Sequence, residues 1–282
     1  MNIFEAILLG IIQGLTEFLP ISSTGHLTVA GKLMHLISAE NPEHWTSFIA
    51  VVQLGTLLAV LIYFWNDLIS ILFDFLKDNI TKRKPYNEQS FNSKMGWFII
   101  IGSIPVVIIG LGFKDVIEGA FTKNLYVIAS SLIALGIILG LAEKVGNFKK
   151  ELSQMNWLSA LIIGIAQSFA LIPGSSRSGT TITAGLFLGY KREVAARFSF
   201  LLSVPAVLGS GLLEFYQSLD YIDYSHFINL IAATAAAAIS GYLTIDFLLK
   251  FLKKQNTFVF VFYRIAIGIA ILILIYNNVI NP

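Results

Sequence analysis

The sequence predicts an all-α polytopic membrane protein, with six transmembrane helices plus two re-entrant helix hairpins in an inverted repeat. Three observations predict it. Of the 282 residues, 56% are hydrophobic and 13% charged, and mean hydropathy is +0.75. That charged share is about half the usual one, too small to cover a water-facing surface. Second, long uncharged stretches alternate with charged loops. Third, two stretches of the chain match each other at one fixed offset. The absence of cysteine excludes a disulfide framework, a thiolate metal site and a cysteine nucleophile. A net charge of +2 argues against nucleic acid as a partner. The first residues carry Glu5 and no basic cluster, so no cleaved signal peptide is expected.

A helix needs about 20 apolar residues to cross the hydrocarbon layer. Six stretches qualify: 45–65, 95–113, 125–142, 198–213, 227–249 and 258–276, the fourth being short. Two further regions are interrupted. Residues 3–37 are broken by Pro20 and the polar run Ser22, Ser23, Thr24, Gly25 and His26. Residues 157–190 are broken at 173–179, where Pro173 and Gly174 precede Ser175, Ser176, Arg177, Ser178 and Gly179. Each reads as two half-helices. Such breaks free backbone polar groups that lipid cannot satisfy, so they must be buried in protein or line a cavity.

Basic residues orient the chain, because they favour the cytoplasmic side. They cluster at 66–94 (Lys77, Lys82, Arg83, Lys84, Lys94), at 143–156 (Lys144, Lys149, Lys150) and after the fifth span (Lys250, Lys253, Lys254). Residues 38–44, 214–226 and the C-terminal tail have none. This alternation requires each broken region to leave and re-enter on one face, 3–37 from outside and 157–190 from the cytoplasm. The internal match agrees: Gly10 and Gln13 correspond to Gly164 and Gln167 at an offset of 154, which also places Ser22 on Ser176 and Gly25 on Gly179. One hairpin plus three spans per repeat, 1–150 and 151–282 within a single membrane domain, inverts the second copy and brings the hairpins together near the bilayer midplane.

Polar groups in the membrane are functional by default once snorkelling is excluded. Gln13 and Glu17, four apart, share a helix face. Ser22 and Ser23 open a new half-helix, and His26 falls on the same side as Ser23. In the second break a Gly-Ser turn opens a helix whose N-terminal amides, with the Arg177 fork, suit a phosphate. Gly174, Gly179 and Thr181 nearly match the nucleotide P-loop, but Thr180 stands where its lysine must be, which argues against a nucleotide. Taken singly, either serine reads equally as a backbone hydrogen-bonder. Gln53 points to the same cavity. Arg264 either faces that cavity or snorkels, and Asp246 is expected to snorkel.

Residues 13–26, with Gln13, Glu17, Pro20, Ser23 and His26, and residues 173–181, from Pro173 to Thr181, closely resemble the undecaprenyl-diphosphate phosphatase family of bacteria, also called the bacitracin-resistance protein family. The resemblance extends through 48–55 and 197–205 and so covers essentially the whole chain. It implies a multi-pass enzyme of the bacterial plasma membrane, opening to the outer side, that hydrolyses the C55 isoprenoid diphosphate to the monophosphate and recycles this lipid carrier for peptidoglycan synthesis. Glu17, Ser23, His26 and Arg177 fall on the family's catalytic positions. Gln13, Ser22, Thr24, Gln53, Gly174, Ser175, Ser176, Ser178, Gly179, Thr181 and Arg264 are the expected substrate-binding set.

A divalent cation, Mg²⁺ or Ca²⁺, is the expected cofactor, with Glu17 as its ligand. The family admits Glu or Gln at the first motif position, and Gln13 here leaves Glu17 as the only acid of that motif. Ser23 or water is the nucleophile, and Glu17 is either metal ligand or base. Expected partners are the polyprenyl diphosphate, the bilayer and, as the one protein assembly considered, a homodimer. A second lipid phosphatase superfamily shares Ser-Arg stretches but needs histidine where Thr183 stands. The competing class is a lipid-phosphate transporter, since inverted repeats with broken helices also build transporters. A carrier needs no nucleophile or acid/base pair beside its arginine.

Overall fold

The computed structural model of the protein describes residues 1–37, 42–113, 124–218 and 224–281. Among these it holds eleven α-helices and no strand. The first broken region forms α1 (Ile3–Phe18) and α2 (Ser23–Leu33). Next come α3 (Pro42–Tyr63), α4 (Trp65–Leu76), α5 (Phe91–Gly112) and α6 (Leu125–Val145). The second broken region forms α7 (Trp157–Ser168) and α8 (Arg177–Phe187). The chain ends with α9 (Arg192–Ser218), α10 (Tyr224–Leu252) and α11 (Phe258–Tyr276). Asparagine starts three of these helices: Asn2 and Glu5 form a reciprocal capping box on α1, while Asn124 and Asn156 accept first-turn amides of α6 and α7.

Among the described residues, five helices are long and apolar enough to cross a bilayer, and counting one bent pair makes six. Their outward faces carry exposed Leu, Ile, Val and Phe, as along α5 at Ile100, Ile104, Val107, Ile108 and Leu111. The protein is a multi-pass membrane protein.

Two boundaries differ from expectation. The span read as a single stretch over 45–65 ends at Tyr63, and the segments Ser47–Tyr63 and Trp65–Thr81 meet at 76°. Residues 66–94, read as a loop, therefore begin with α4, whose apolar residues Trp65, Ile69, Leu72, Phe73 and Leu76 recur at helical spacing and stay exposed. Charge, not apolar content, marks where a span meets water, and Asp67 and Asp74 on this amphipathic helix broke the apolar run. The second difference is α9, which starts six residues before the short stretch 198–213. Its first turns carry Arg192, bonded to Glu143, and Arg197, whose Nη2 lies 2.6 Å from Asp67 Oδ2. Paired charges let the helix begin ahead of its apolar segment. The outer connections expected at 38–44 and 214–226 fall largely outside the described residues.

The helices interlock between the two halves of the chain. α1 packs along α10, and α7 along α5; α3 touches α9 and α10, and α6 packs on α11. Gly10 and Gly164 mark two close approaches: a Cβ on Gly10 would run into the main chain of Ala233, and one on Gly164 into that of Gly102. Hydrogen bonds tie the ends. Met1 O accepts from Asn229 at the start of α10, and Lys32, at the end of α2, donates to Asn281 O beyond α11. At the other set of ends, buried Glu143 joins Arg192 to the Thr257 amide and hydroxyl, and Lys150 pairs with Tyr190 across the second hairpin. The largest core cluster includes Phe18, Phe64, Phe98, Phe198 and Phe200, with Phe18 edge-on to Phe200 at 5.2 Å, so the first break abuts the packed centre.

Gly164→Val should prevent the α7–α5 approach and cost about 3 kcal/mol, the scale of severe core overpacking. A lowered melting midpoint of the detergent-solubilised protein checks this. Gly110→Val, where a Cβ meets nothing within 4 Å, should melt like the parent protein.

Candidate functional site

Both breaks end on a serine in left-handed backbone: Ser22 at φ 75° and ψ 100°, Ser176 at φ 67° and ψ 111°. Non-glycine residues are strained there, by roughly 1–3 kcal/mol each. Each hydroxyl caps the helix it introduces, Ser22 Oγ accepting from Gly25 N at 3.3 Å and Ser176 Oγ from Gly179 N at 3.1 Å. The first helical residues after these caps are Ser23 and Arg177. The half-helices α2 and α8 are each 11 residues long, too short to cross a bilayer.

Ser23 and Arg177 converge on one carboxylate. Glu17 Oε2 accepts from Ser23 Oγ at 2.7 Å and from Gln13 Nε2 at 3.1 Å, while Oε1 accepts from Arg177 Nη2 at 2.9 Å and from Gln53 Nε2 at 3.4 Å. The side chains of Glu17 and Arg177 are 5% and 11% exposed, so this ion pair is shielded from water. Arg177 Nη1 donates to Ser199 O at 3.3 Å, and its Nε has no protein partner. Gln13 Oε1 is likewise buried without a donor. The Arg177 fork therefore keeps an N–H to offer beside the carboxylate that it pairs with.

The surrounding residues divide into those that build and those that remain open. Ser176 Oγ lies 3.2 Å from Ser178 Oγ, and Ser178 Oγ donates to Leu19 O at 3.0 Å, tying the second break to the first. Thr181 Oγ1 bonds Arg177 O and Ser199 Oγ, so its hydroxyl is committed inside the protein. Gly174, at φ +85°, makes the turn, and its missing Cβ leaves room for Ile128 and Ser131. Ser175 is fully buried with its hydroxyl unpartnered, and Thr24 is exposed.

His26 does not meet Ser23 as its helix position suggested. Its Nδ1 lies 2.7 Å from Ser22 O and its Nε2 2.8 Å from Tyr263 Oη. Tyr263 and Ser199 are site residues that the sequence reading missed. A phenol beside an intramembrane arginine was the available signal for Tyr263, while a main-chain acceptor such as Ser199 leaves none.

Arg264 does not snorkel. It is fully buried and its guanidinium donates only to main-chain carbonyls: Pro20 at 3.3 Å, Leu132 at 3.2 Å, Ser131 at 3.5 Å, Gly174 at 3.3 Å and Ser175 at 2.8 Å. Gly179 leaves space for Nη1, which a Cβ there would approach to 2.5 Å. Asp246, by contrast, bonds Lys250 and Tyr63 on a half-exposed surface, as expected of a helix-end carboxylate.

The donor set does not fit a resident divalent cation. Mg²⁺ and Ca²⁺ require several hard oxygen ligands, whereas the one carboxylate here already accepts four donors, a guanidinium among them. Among the described residues no three His, Cys, Asp or Glu side chains cluster.

Arg264→Lys should destabilise the protein by about 3 kcal/mol or more, because an ammonium with three protons strands buried carbonyls worth roughly 1–3 kcal/mol each. A strongly lowered melting midpoint is the expected result, whereas a snorkelling arginine would tolerate the change.

The chain is similar to known proteins over its whole length. The chain is 58% identical over 278 residues, covering 99% of both chains, to a protein of Syntrophobacter fumaroxidans named undecaprenyl-diphosphatase. Proteins of the same name from Chlorobium phaeovibrioides and Pelodictyon phaeoclathratiforme are 49% and 50% identical, over the full length of each chain. Residues 6–270 match the model of the bacitracin resistance protein BacA family. With both broken-helix motifs inside the matched region, the chain belongs to the bacitracin resistance protein BacA family.

Proposed function

We propose that this protein is a membrane phosphatase that hydrolyses undecaprenyl diphosphate to undecaprenyl phosphate and inorganic phosphate, recycling the lipid carrier for cell-wall synthesis. The observation that carries the reading is the meeting of a serine, a carboxylate and a guanidinium at the paired starts of two half-helices. The name its relatives carry supports the substrate.

In this reading the diphosphate takes over Arg177 from Glu17, using the free Nε–H and the amides that open α8. Glu17 is relieved of its cation but keeps its 2.7 Å contact with Ser23 and accepts the serine proton. Ser23 Oγ attacks the terminal phosphorus, the bridging P–O bond breaks, and its electron pair leaves on the lipid monophosphate. Water then attacks the phosphoserine phosphorus, the bond to Ser23 Oγ breaks and inorganic phosphate leaves, while Glu17 returns its proton to Ser23 Oγ. His26 serves the leaving phosphate. If a divalent cation takes part, Glu17 is the one carboxylate this cluster would offer it, and the ion would supply neutralisation of charge on the diphosphate.

The finer architecture belongs to the same proposal: two inverted repeats, 1–150 and 151–282, with both hairpins re-entrant. The matched serine caps, the reciprocal packing of α1 on α10 and α7 on α5, and the end-to-end ties of Met1, Lys32, Lys150 and Tyr190 support it. The basic loops assign the 77–94 side to the cytoplasm of a bacterial plasma membrane, with the site opening outward.

Purified wild-type protein in detergent, where no gradient exists, should release inorganic phosphate from the lipid diphosphate. Binding without release would favour the lipid-phosphate carrier. Arg177→Lys keeps the charge but loses the planar fork, and kcat/KM should fall roughly a hundredfold or more. Near-normal turnover would remove Arg177 from the reaction. For the topology, a cysteine in place of exposed Lys82 should react with an impermeant thiol reagent only after the cells are opened. Labelling in intact cells reverses the orientation.

A further inference from the structure

The environment of His26 contains a partner that the phosphatase reading does not use. His26 lies in the first turn of α2 and Tyr263 on α11, 237 residues apart in the chain. Ser22 O is a carbonyl and can only accept, so the nitrogen 2.7 Å from it, Nδ1, carries a proton whether the ring is neutral or charged. The neutral ring then has its lone pair on Nε2, and the group 2.8 Å from Nε2 is the Tyr263 hydroxyl. The two rings are nearly parallel, at 7° with centroids 5.6 Å apart. Tyr263 is held in register from the next residue, since Arg264 anchors this turn of α11 to five main-chain carbonyls of the two breaks and α6.

We propose that Tyr263 is a positioning residue for His26. Its hydroxyl donates to Nε2 and, with Ser22 O at the other nitrogen, fixes both the tautomer and the plane of the imidazole. The site thus contains two separate proton-handling pairs, Ser23 with Glu17 and His26 with Tyr263. The first activates the nucleophile. The second presents a ring whose only free lone pair is covered by a 40% exposed phenol, which moves aside when the lipid enters and leaves Nε2 to accept a proton from a protonated phosphate oxygen.

This proposal rests on the phosphatase reading for its kinetic arm only. Tyr263→Phe removes one oxygen and nothing else. It should lower kcat about tenfold, the order of one lost hydrogen bond, with KM unchanged. In a His26→Ala background it should have no further effect, because the two act as one unit. A merely structural tyrosine would instead give additive losses. Nitrogen NMR of histidine-labelled protein is independent of turnover. The chain has 4 histidines, and His26→Gln assigns the one in question. In the wild type the neutral ring should carry its proton on Nδ1, and Tyr263→Phe should move the Nε2 resonance while leaving Nδ1 in place. An Nε2-protonated neutral ring, an unmoved Nε2 resonance or additive kinetics would each overturn the proposal. Wild-type protein that releases no phosphate would sink the phosphatase reading alone, and the NMR result would stand apart from it.

Discussion

A guanidinium sealed inside a membrane protein, with no carboxylate to meet it among the described residues, is the constraint on which this architecture depends. Breaking a helix in lipid releases carbonyls that must find donors within the protein. Arg264 supplies them for both breaks at once, reaching Pro20 in the first and Gly174 and Ser175 in the second, with Leu132 and Ser131 of α6 completing its shell. A charge buried this way is costly unless fully hydrogen-bonded. Carbonyl dipoles meet the requirement only because two interrupted chains arrive at one point. Neither break would be stable as drawn without the other, and both are pinned through α11.

On that scaffold the two breaks share geometry and divide the chemistry. Ser22 and Ser176 adopt the same left-handed conformation and cap the same third residue. The next position differs: Ser23 provides a hydroxyl in one copy, and Arg177 a fork in the other. His26 in the first copy corresponds to Thr180 in the second at the repeat offset. Two breaks of matching backbone thus present a serine hydroxyl and a guanidinium at equivalent points, and Glu17, which has Leu171 as its counterpart, sits between them.

The Glu17–Arg177 pair suits such a site energetically. Exposed to a low-dielectric interior, either charge alone would be unfavourable by several kcal/mol. Together they keep the cluster neutral, and in the proposed reaction an entering diphosphate would exchange one anionic partner of Arg177 for another without leaving the cation bare. The spare Nε–H means the exchange gains a hydrogen bond that the resting pair lacks.

Much of this was legible in the sequence because it is local. Apolar length sets a span, proline and glycine with serine set a break, and an intramembrane Glu17 or Arg177 marks a site wherever it is packed. Gln53, read on the same logic, donates to Glu17 Oε1 at 3.4 Å. What depended on approach between distant segments was not legible. The 76° turn after Tyr63 and the early start of α9 follow from contacts of Asp67, Glu143, Arg192 and Arg197 that no window of sequence contains. Helix position put His26 beside Ser23, yet the tertiary fold gave the imidazole to Tyr263 and the serine to Glu17. Arg264 shows the division most clearly. Its sequence neighbours are compatible with a side chain reaching for water or for the cavity. Only the arrival of five carbonyls from three segments turned it inward, since a hydrogen-bond partner is decided by where folded chains meet and not by the residues alongside.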